Sequence, residues 1–329
     1  MITGFVVGKF YPPHRGHQHL IETARAQVDR LIVMLCHHVS QRLPGELRRA
    51  WLAELHPDCE ILLVPDELED DSQAWADFTV HTLGAAPDVV FSSEDYGPRF
   101  AALMGARHVM VDRPRAAVPI SATQIRRDPL ANLQWLAPCV RAYFVRRVVL
   151  VGAESTGKTT LTQALAAQFG TSCVLEYGRE HWEHKLAGRA ITDPPPSWTS
   201  QEFVDIATEQ QRREEAAARR AERVLFCDTN AFATGTWHER YHHRRSAEVD
   251  AIGARDRVDL YLLTAPDVPF VQDGFRDGEA IRPWMHQRFL EQLQGGAVPY
   301  LVLDGPHAER LPRAIAAVAE LLAAPSPLG

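Results

Sequence analysis

Two stretches of this 329-residue chain combine glycine with the side chains that hold polyphosphate. Gly152-Ala153-Glu154-Ser155-Thr156-Gly157-Lys158-Thr159 has the spacing GxxxxGK[ST] and directly follows an apolar run, Arg147–Val151. Between a strand and a helix, such a loop cradles phosphates with its backbone N–H groups, its lysine reaches the β- and γ-phosphates, and its last hydroxyl reaches magnesium. Gly152, Glu154, Ser155, Thr156, Gly157 and Thr160 are therefore read as nucleotide-binding, Lys158 as catalytic and Thr159 as a metal ligand. Asp228 ends the apolar run Val224–Asp228 and is the second candidate ligand for magnesium; standing before an expected helix, it also suits a cap. The earlier stretch is Gly8-Lys9-Phe10-Tyr11-Pro12-Pro13-His14-Arg15-Gly16-His17. Two histidines flank a glycine where a helix should begin, and the free N–H groups and dipole of a helix start attract anions. His14, His17 and Lys9 are read as stabilising charge on a triphosphate, with no covalent nucleophile required. Gly8, Phe10 and Gly16 would line it, the last by letting backbone approach the ligand closely.

Three further groups extend these sites. In Ile120-Ser121-Ala122-Thr123-Gln124-Ile125-Arg126, Ser121 can cap a helix whose first N–H groups, with Thr123 and Arg126, make another anion cradle. Glu176-Tyr177-Gly178-Arg179-Glu180 follows a strand candidate, and strand carboxyl ends border the ligand crevice in open α/β sheets. Glu176 could accept a hydroxyl proton, with Tyr177 and Arg179 on the acceptor; a helix start carrying an Arg–Glu surface pair fits the same residues. Asp273-Gly274-Phe275-Arg276 and Arg282 fall in 270–283, a weakly periodic segment read as a mobile lid bringing Arg276 to the phosphoryl group, Arg282 assisting. Asp66–Asp71 reads as a solvated acidic loop, and His238 with His242 as part of an exposed helix rather than a metal site.

The elements that must carry these residues alternate as short apolar runs and amphipathic stretches, the pattern of parallel α/β sheets. Strands are expected at Ile2–Gly8, Leu31–Cys36, Ile61–Val64, Val89–Ser92 and His108–Val111, with helices near His17–Val28, Glu46–Leu55, Ser72–Leu83 and Gly97–Met104. Ile120–Arg127 enters another helix, and Leu130–Phe144 is a helical connector. The pattern restarts with strands at Arg147–Val151, Val174–Glu176, Val224–Asp228, Leu260–Leu263 and Tyr300–Leu303, and a charged, solvated helix over Gln201–Glu222. Two domains follow, 1–145 and 146–329, as the chain length also suggests. Basic and acidic residues number 35 and 42, so bulk charge argues against a nucleic-acid partner. No apolar run suits a membrane span or a signal peptide, and Cys36, Cys59, Cys139, Cys173 and Cys227 lack CxxC spacing. They read as buried thiols in a cytoplasmic protein. Only three of the 35 basic residues are lysines, and two of them, Lys9 and Lys158, lie in the phosphate motifs.

The pair HxGH and ISxTxxR, in this order, resembles the nucleotidyltransferase superfamily that moves AMP or CMP from a nucleoside triphosphate onto a phosphate. Adding the P-loop, EYGRE and DGxR, the chain through about residue 305 resembles the NadR-type nicotinamide-nucleotide adenylyltransferase/ribosylnicotinamide kinases. That resemblance implies a Rossmann-like adenylyltransferase domain followed by a P-loop kinase domain, with ATP as substrate at both sites and Mg2+ as cofactor. The kinase would convert ribosylnicotinamide to nicotinamide mononucleotide, and the adenylyltransferase would convert that to NAD and pyrophosphate. Trp75 matches in position the tryptophan the family uses near the nicotinamide, though a core role in an amphipathic helix suits it equally. The first strand candidate starts at Ile2, so the helix-turn-helix of some members is not expected and DNA binding is not carried over. Asp228-Thr229-Asn230 departs from the family's DTD, which puts a second carboxylate role at Asn230 in doubt. The alternative reading is a nucleotide-binding sensor; a functional link to a riboside transporter and a homo-oligomer stay open.

Overall fold

A computed structural model describes residues 1–68, 71–187, 196–271, 278–326 and 328. The chain divides into two units, Met1–Arg141 with Pro325–Gly329, and Ala142–Ala324. The first unit runs β1 (Thr3–Gly8), α1 (Arg15–Arg25), β2 (Arg30–His37), α2 (Gly45–Leu55), β3 (Glu60–Pro65), α3 (Ser72–Leu83), β4 (Val89–Ser92), α4 (Gly97–Leu103), β5 (Arg107–Met110) and α5 (Ala122–Arg127). A 3-10 helix, Leu130–Trp135, and α6 (Pro138–Phe144) follow. The expected single connector is thus two pieces. Leu136 is extended between them, and Pro138 opens the second, a position where its missing N–H costs no helical hydrogen bond.

The second unit continues with β6 (Arg146–Val151), α7 (Lys158–Gln168), β7 (Cys173–Val174), α8 (Tyr177–Leu186), α9 (Ser200–Ala218), β8 (Val224–Asp228), α10 (Ala231–His242), α11 (Ala247–Gly253), β9 (Leu260–Thr264), α12 (Arg282–Gln294), β10 (Tyr300–Leu303) and α13 (His307–Ala323). The strand expected through Glu176 stops at Val174, and Glu176 is the N-cap of α8. Arg282, expected in a mobile loop, opens α12 and is buried. Gln272, Asp273, Gly274, Phe275, Arg276 and Asp277 lie outside the described residues.

Every strand pair is parallel, in the orders β3-β2-β1-β4-β5 and β10-β9-β6-β8-β7. The strand alternation of period two splits the first core into layers. Phe5, Ile32, Met34 and Val90 pack with Ala76, Phe100 and Met104 on one face. Val6, Val33, Leu35 and Phe91 pack with Leu20, Ile21, Ala24 and Leu52 on the other. In the second unit Val148, Leu150, Phe226 and Leu262 meet Leu161 and Leu165 of α7 and Ala314 and Val318 of α13. Each fully buried aliphatic or Phe side chain contributes roughly 1.5–3 kcal/mol, enough to hold the strand ends in place.

Two readings of charged helices need correction. The stretch Gln201–Glu222 was expected to present a solvated face, yet Gln210 and Glu214 of α9 are buried at 1% and 3% exposure. His238 is likewise buried, with Nδ1 at 2.8 Å from Arg244 O and Nε2 at 2.9 Å from Ser200 Oγ. Sequence periodicity cannot show this, because α9, α10 and α11 pack on one another and bury polar positions together. Cys36, Cys139 and Cys227 are buried as expected, whereas Cys59 and Cys173 are half-buried. No helix among the described residues is long and apolar enough to cross a membrane.

Asn230 caps α10 through Oδ1 and donates from Nδ2 to Asp256 Oδ2 (2.9 Å) and Tyr261 Oη (3.2 Å). Asn230→Ala should therefore lower the unfolding free energy by about 2 kcal/mol, read by urea denaturation. Asn230→Asp sets a carboxylate against Asp256 and should cost more at pH 8 than at pH 5; equal loss at both would contradict the pairing.

Candidate active sites

In each unit the strand order turns about one strand, β1 in the first sheet and β6 in the second, and the phosphate motif follows that strand. Connections leave such a strand towards opposite faces, opening a crevice at its carboxyl end. In the first unit a cleft of about 440 Å³ opens beyond the carboxyl ends of β1, β2 and β3, to one side of that point, lined by Lys9, His38, Ser40, Gln41, Asp66 and Glu67. Lys9 Nζ is 2.9 Å from the Asp66 carboxylate, so the acidic segment begins with an ion pair rather than with a solvated charge. Glu69 and Asp70 lie outside the described residues.

The HxGH histidines build the start of α1 themselves. His14 is the N-cap, and its Nδ1 accepts from Gly16 N at 3.0 Å; His17 Nδ1 accepts from His14 N at 3.3 Å. The rings stack with centroids 3.8 Å apart. Burial holds the His14 imidazole down at about 4, with the Arg115 charge adding to it, and holds His17 well below the ordinary histidine range. A neutral imidazole that accepts at Nδ1 carries its proton on Nε2. Both rings therefore present an Nε2–H donor. At Gly16 a Cβ would stand 2.9 Å from His14 Cε1, so the glycine also makes room for the ring. The Phe10 side chain is 2% exposed and packs within the core, which leaves its backbone as the part that could meet a ligand.

The second motif is tied to the first. Ser121 caps α5 in a reciprocal pair with Gln124. Arg126 donates to Tyr11 O at 2.8 Å and to Thr123 Oγ1 at 3.0 Å, and its guanidinium lies 5.1 Å from the Tyr11 ring centre. Arg48, fully buried on α2, lies 5.3 Å from the same centre and donates to Lys9 O, to His37 Nδ1 (2.6 Å) and to Gln41 Oε1 (2.7 Å). Arg48, Tyr11 and Arg115 were not singled out by the sequence, where they are three more residues of common type. Trp75 on α3 is half-buried, edge-on to Phe78 at 5.8 Å and packed on the core, so its core role is met.

In the second unit the loop geometry requires its glycines. Gly152 has φ 148° and a Cβ would come 2.4 Å from Thr264 Oγ1; Gly157 has φ 84° at the cap of α7. Thr156 is buried and bonds Ala153 O (2.9 Å) and Thr264 Oγ1 (2.7 Å), so its hydroxyl braces the loop. Lys158 Nζ donates to Ala153 O at 2.9 Å. Glu154 accepts from Arg240 (3.1 Å) and Gly278 N (3.0 Å), and Ser155 Oγ accepts from Val271 N at 2.8 Å. Thr160 is exposed on α7. Arg282 Nη2 donates to Val268 O at 2.8 Å and lies 3.4 Å from Ser155 O, so its hydrogen bonds among the described residues are with backbone carbonyls, one of them in the P-loop. Arg310, unpredicted, donates to Thr156 O (2.7 Å), Gly305 O (2.6 Å) and Asp267.

Thr159 donates its hydroxyl to Asp228 Oδ2, while buried Oδ1 has no hydrogen-bond partner among the described residues. Burial raises the Asp228 carboxyl above its ordinary range, against the pull of Lys158, the Thr159 hydroxyl and Arg179. A hard cation taking both oxygens would satisfy this pair, so Thr159 and Asp228 fit magnesium. Burial also pushes Glu176 up to about 7, opposed by Lys158 and supported by Asp228 and Glu154. Arg179 is exposed and bonds Glu183 (3.1 Å), a surface pair, and its charge also reaches Glu176 and Asp228. Tyr177 lies under the Arg213 guanidinium at 4.3 Å.

Family models match a stretch within each unit: cytidylyltransferase-like over residues 5–128 and AAA domain over residues 147–310. The trifunctional NAD biosynthesis/regulator protein NadR of Escherichia coli is 28% identical, covering 97% of this chain and 83% of its own length. Its Salmonella typhimurium counterpart is also 28% identical, over the same shares. A NadR protein solved in complex with NR superposes with TM-score 0.79 at 22% identity, and one with NAD and AMP-PNP with 0.74 at 21%. Each superposition covers 98% of this chain and 96% of the other, and these likenesses are likenesses of fold.

The histidine geometry sets a pH dependence. The folded His14 value of about 4 lies below the unfolded 6.5, so the unfolded chain binds the extra proton and stability falls as pH drops through that window. Between pH 7.5 and 5 this should cost about 2 kcal/mol, and His14→Gln should remove that part of the slope in urea titrations. Unchanged slope in the variant would refute the depressed value.

Proposed function

We propose that this NadR-like chain performs two successive group transfers in NAD salvage, each with ATP. Residues 146–329 would phosphorylate ribosylnicotinamide, and residues 1–145 would adenylylate the resulting mononucleotide. The observation that carries this is the presence of two separate phosphate cradles, one at the turning strand of each sheet. The nicotinamide acceptor is drawn from the NadR relatives.

In the kinase, the N–H groups of residues 154–159 and the Lys158 ammonium hold the phosphates. Glu176, with its carboxyl near 7, takes the proton of the riboside hydroxyl as that oxygen attacks the γ-phosphorus and ADP leaves. Thr159 and Asp228 would hold the magnesium, which when bound neutralises charge on the β- and γ-phosphates. Arg276 enters on sequence grounds alone, as the arginine of a closing lid. In the adenylyltransferase, the mononucleotide phosphate attacks the α-phosphorus and pyrophosphate departs. The Nε2–H groups of His14 and His17 donate to the oxygens gaining charge; preorganised neutral donors of this kind need no reorganisation during the step. Lys9 adds a point charge, and Arg126 joins the two motifs. Trp75 is the candidate neighbour of the nicotinamide. A cytoplasmic setting accords with five free thiols.

Two variants separate the activities. Lys158→Ala should abolish riboside phosphorylation and leave NAD formation from supplied mononucleotide intact. His17→Ala should slow the latter by ~10²–10³ and leave the kinase alone. Product chromatography with each substrate reads both; loss of both activities in a folded single variant would count against independent sites.

A further inference from the structure

Glu176 stands at the N-cap of α8, a position from which a side chain can accept from the N–H groups of the second and third helical residues. Among the described residues its side chain makes no such capping bond. The first helical N–H, that of Tyr177, is instead taken by a side chain from another helix: Gln210 Oε1 on α9 accepts it at 3.0 Å. Gln210 is 1% exposed, and its Nε2 donates to Glu214 Oε1 at 3.0 Å, so both ends of the amide are engaged and its orientation is set. The peptide that Gln210 holds is the one joining Glu176 to Tyr177, and its plane sets the direction in which the Glu176 side chain leaves the backbone. That side chain runs over Gly178, with Oε1 3.6 Å from where a Cβ of residue 178 would stand. It lies within electrostatic reach of Lys158 of α7, Asp228 of β8, Glu154 of the P-loop and Arg179 of its own helix.

We infer that Gln210 is a positioning residue for phosphoryl transfer: by holding the Tyr177 N–H from α9, it fixes the first peptide of α8 and with it the direction in which the Glu176 carboxylate leaves the backbone. The inference rests on Glu176 being the group that receives the acceptor's proton. Without Gln210 the part-buried Tyr177 N–H loses its partner, and the first turn of α8 is free to shift and carry the Glu176 side chain with it. Displacement of about 1 Å at a reacting group is enough to cost up to ~10²-fold in rate.

The test is a double-mutant cycle in the full chain, with ATP, magnesium and ribosylnicotinamide, comparing Gln210→Met, Glu176→Gln and the double variant. Gln210→Met should lower kinase kcat about tenfold or more, leave KM for ATP within about twofold, and leave NAD formation from supplied mononucleotide unchanged. In the Glu176→Gln background it should produce no further loss. An equal fold-loss in both backgrounds, or wild-type kcat in Gln210→Met, overturns the positioning role while Glu176 keeps its own. Wild-type kcat in Glu176→Gln removes the base assignment and this inference with it. Should the methionine variant fail to fold, Gln210→Asn, one methylene too short to span Tyr177 N and Glu214, serves the same cycle with the same expected results.

Discussion

A helix that starts just beyond the carboxyl end of the strand where a parallel sheet turns is what both halves of this chain are arranged around. The two units use that arrangement differently. In the second, glycine at 152 and 157 supplies the positive φ that brings Lys158 and Thr159 to the start of α7. In the first, the imidazoles of His14 and His17 consume the N–H groups of Gly16 and His14. The donors then become the two Nε2–H groups, one ring further out. Burial keeps both rings neutral, so the donor set does not alter over the physiological range.

Arginine carries the structural load around these loops. Arg48 donates to Lys9 O, Arg126 to Tyr11 O, Arg282 to Val268 O and Arg310 to Thr156 O. A guanidinium presents several donors in a fixed plane and is weakly hydrated, so it can be buried against carbonyl oxygens where an ammonium would lose more. Lysine is left with point-charge tasks. Lys158 lies in the phosphate loop and Lys9 borders the cleft, while Lys185 meets Ser197 O (2.6 Å) and Glu202 (2.5 Å). The scarcity of lysine in the sequence thus has a physical counterpart in two of three places.

Acidic groups show the opposite economy. Glu176, Asp228, Glu214 and Asp256 are all raised above the ordinary carboxyl range, and burial is the leading cause for each. Glu214, pushed up to about 8, supports Gln210 rather than touching the loop. A polar layer is thus buried between α9 and α10 where a charge count alone assigns solvent.

The sequence by itself determined the two parallel α/β units, the place of every strand within a residue or two, and both phosphate loops. These are local properties: apolar runs of strand length, and motifs whose residues are contiguous and needed at fixed spacing. Only the tertiary structure decided what Gly16, Phe10 and Arg282 do, because each acts through a neighbour's volume or carbonyl rather than through its own spacing. It alone brought Arg48 to Lys9, Arg126 to Tyr11 and Gln210 to Tyr177, pairs separated by 39, 115 and 33 residues. It also turned an apparently solvated Glu214 and His238 into buried groups. A hydrogen bond between distant segments leaves no periodic trace in either one. Its partner is set by how helices pack on the sheet, and that packing follows from the summed burial of many side chains rather than from any single motif.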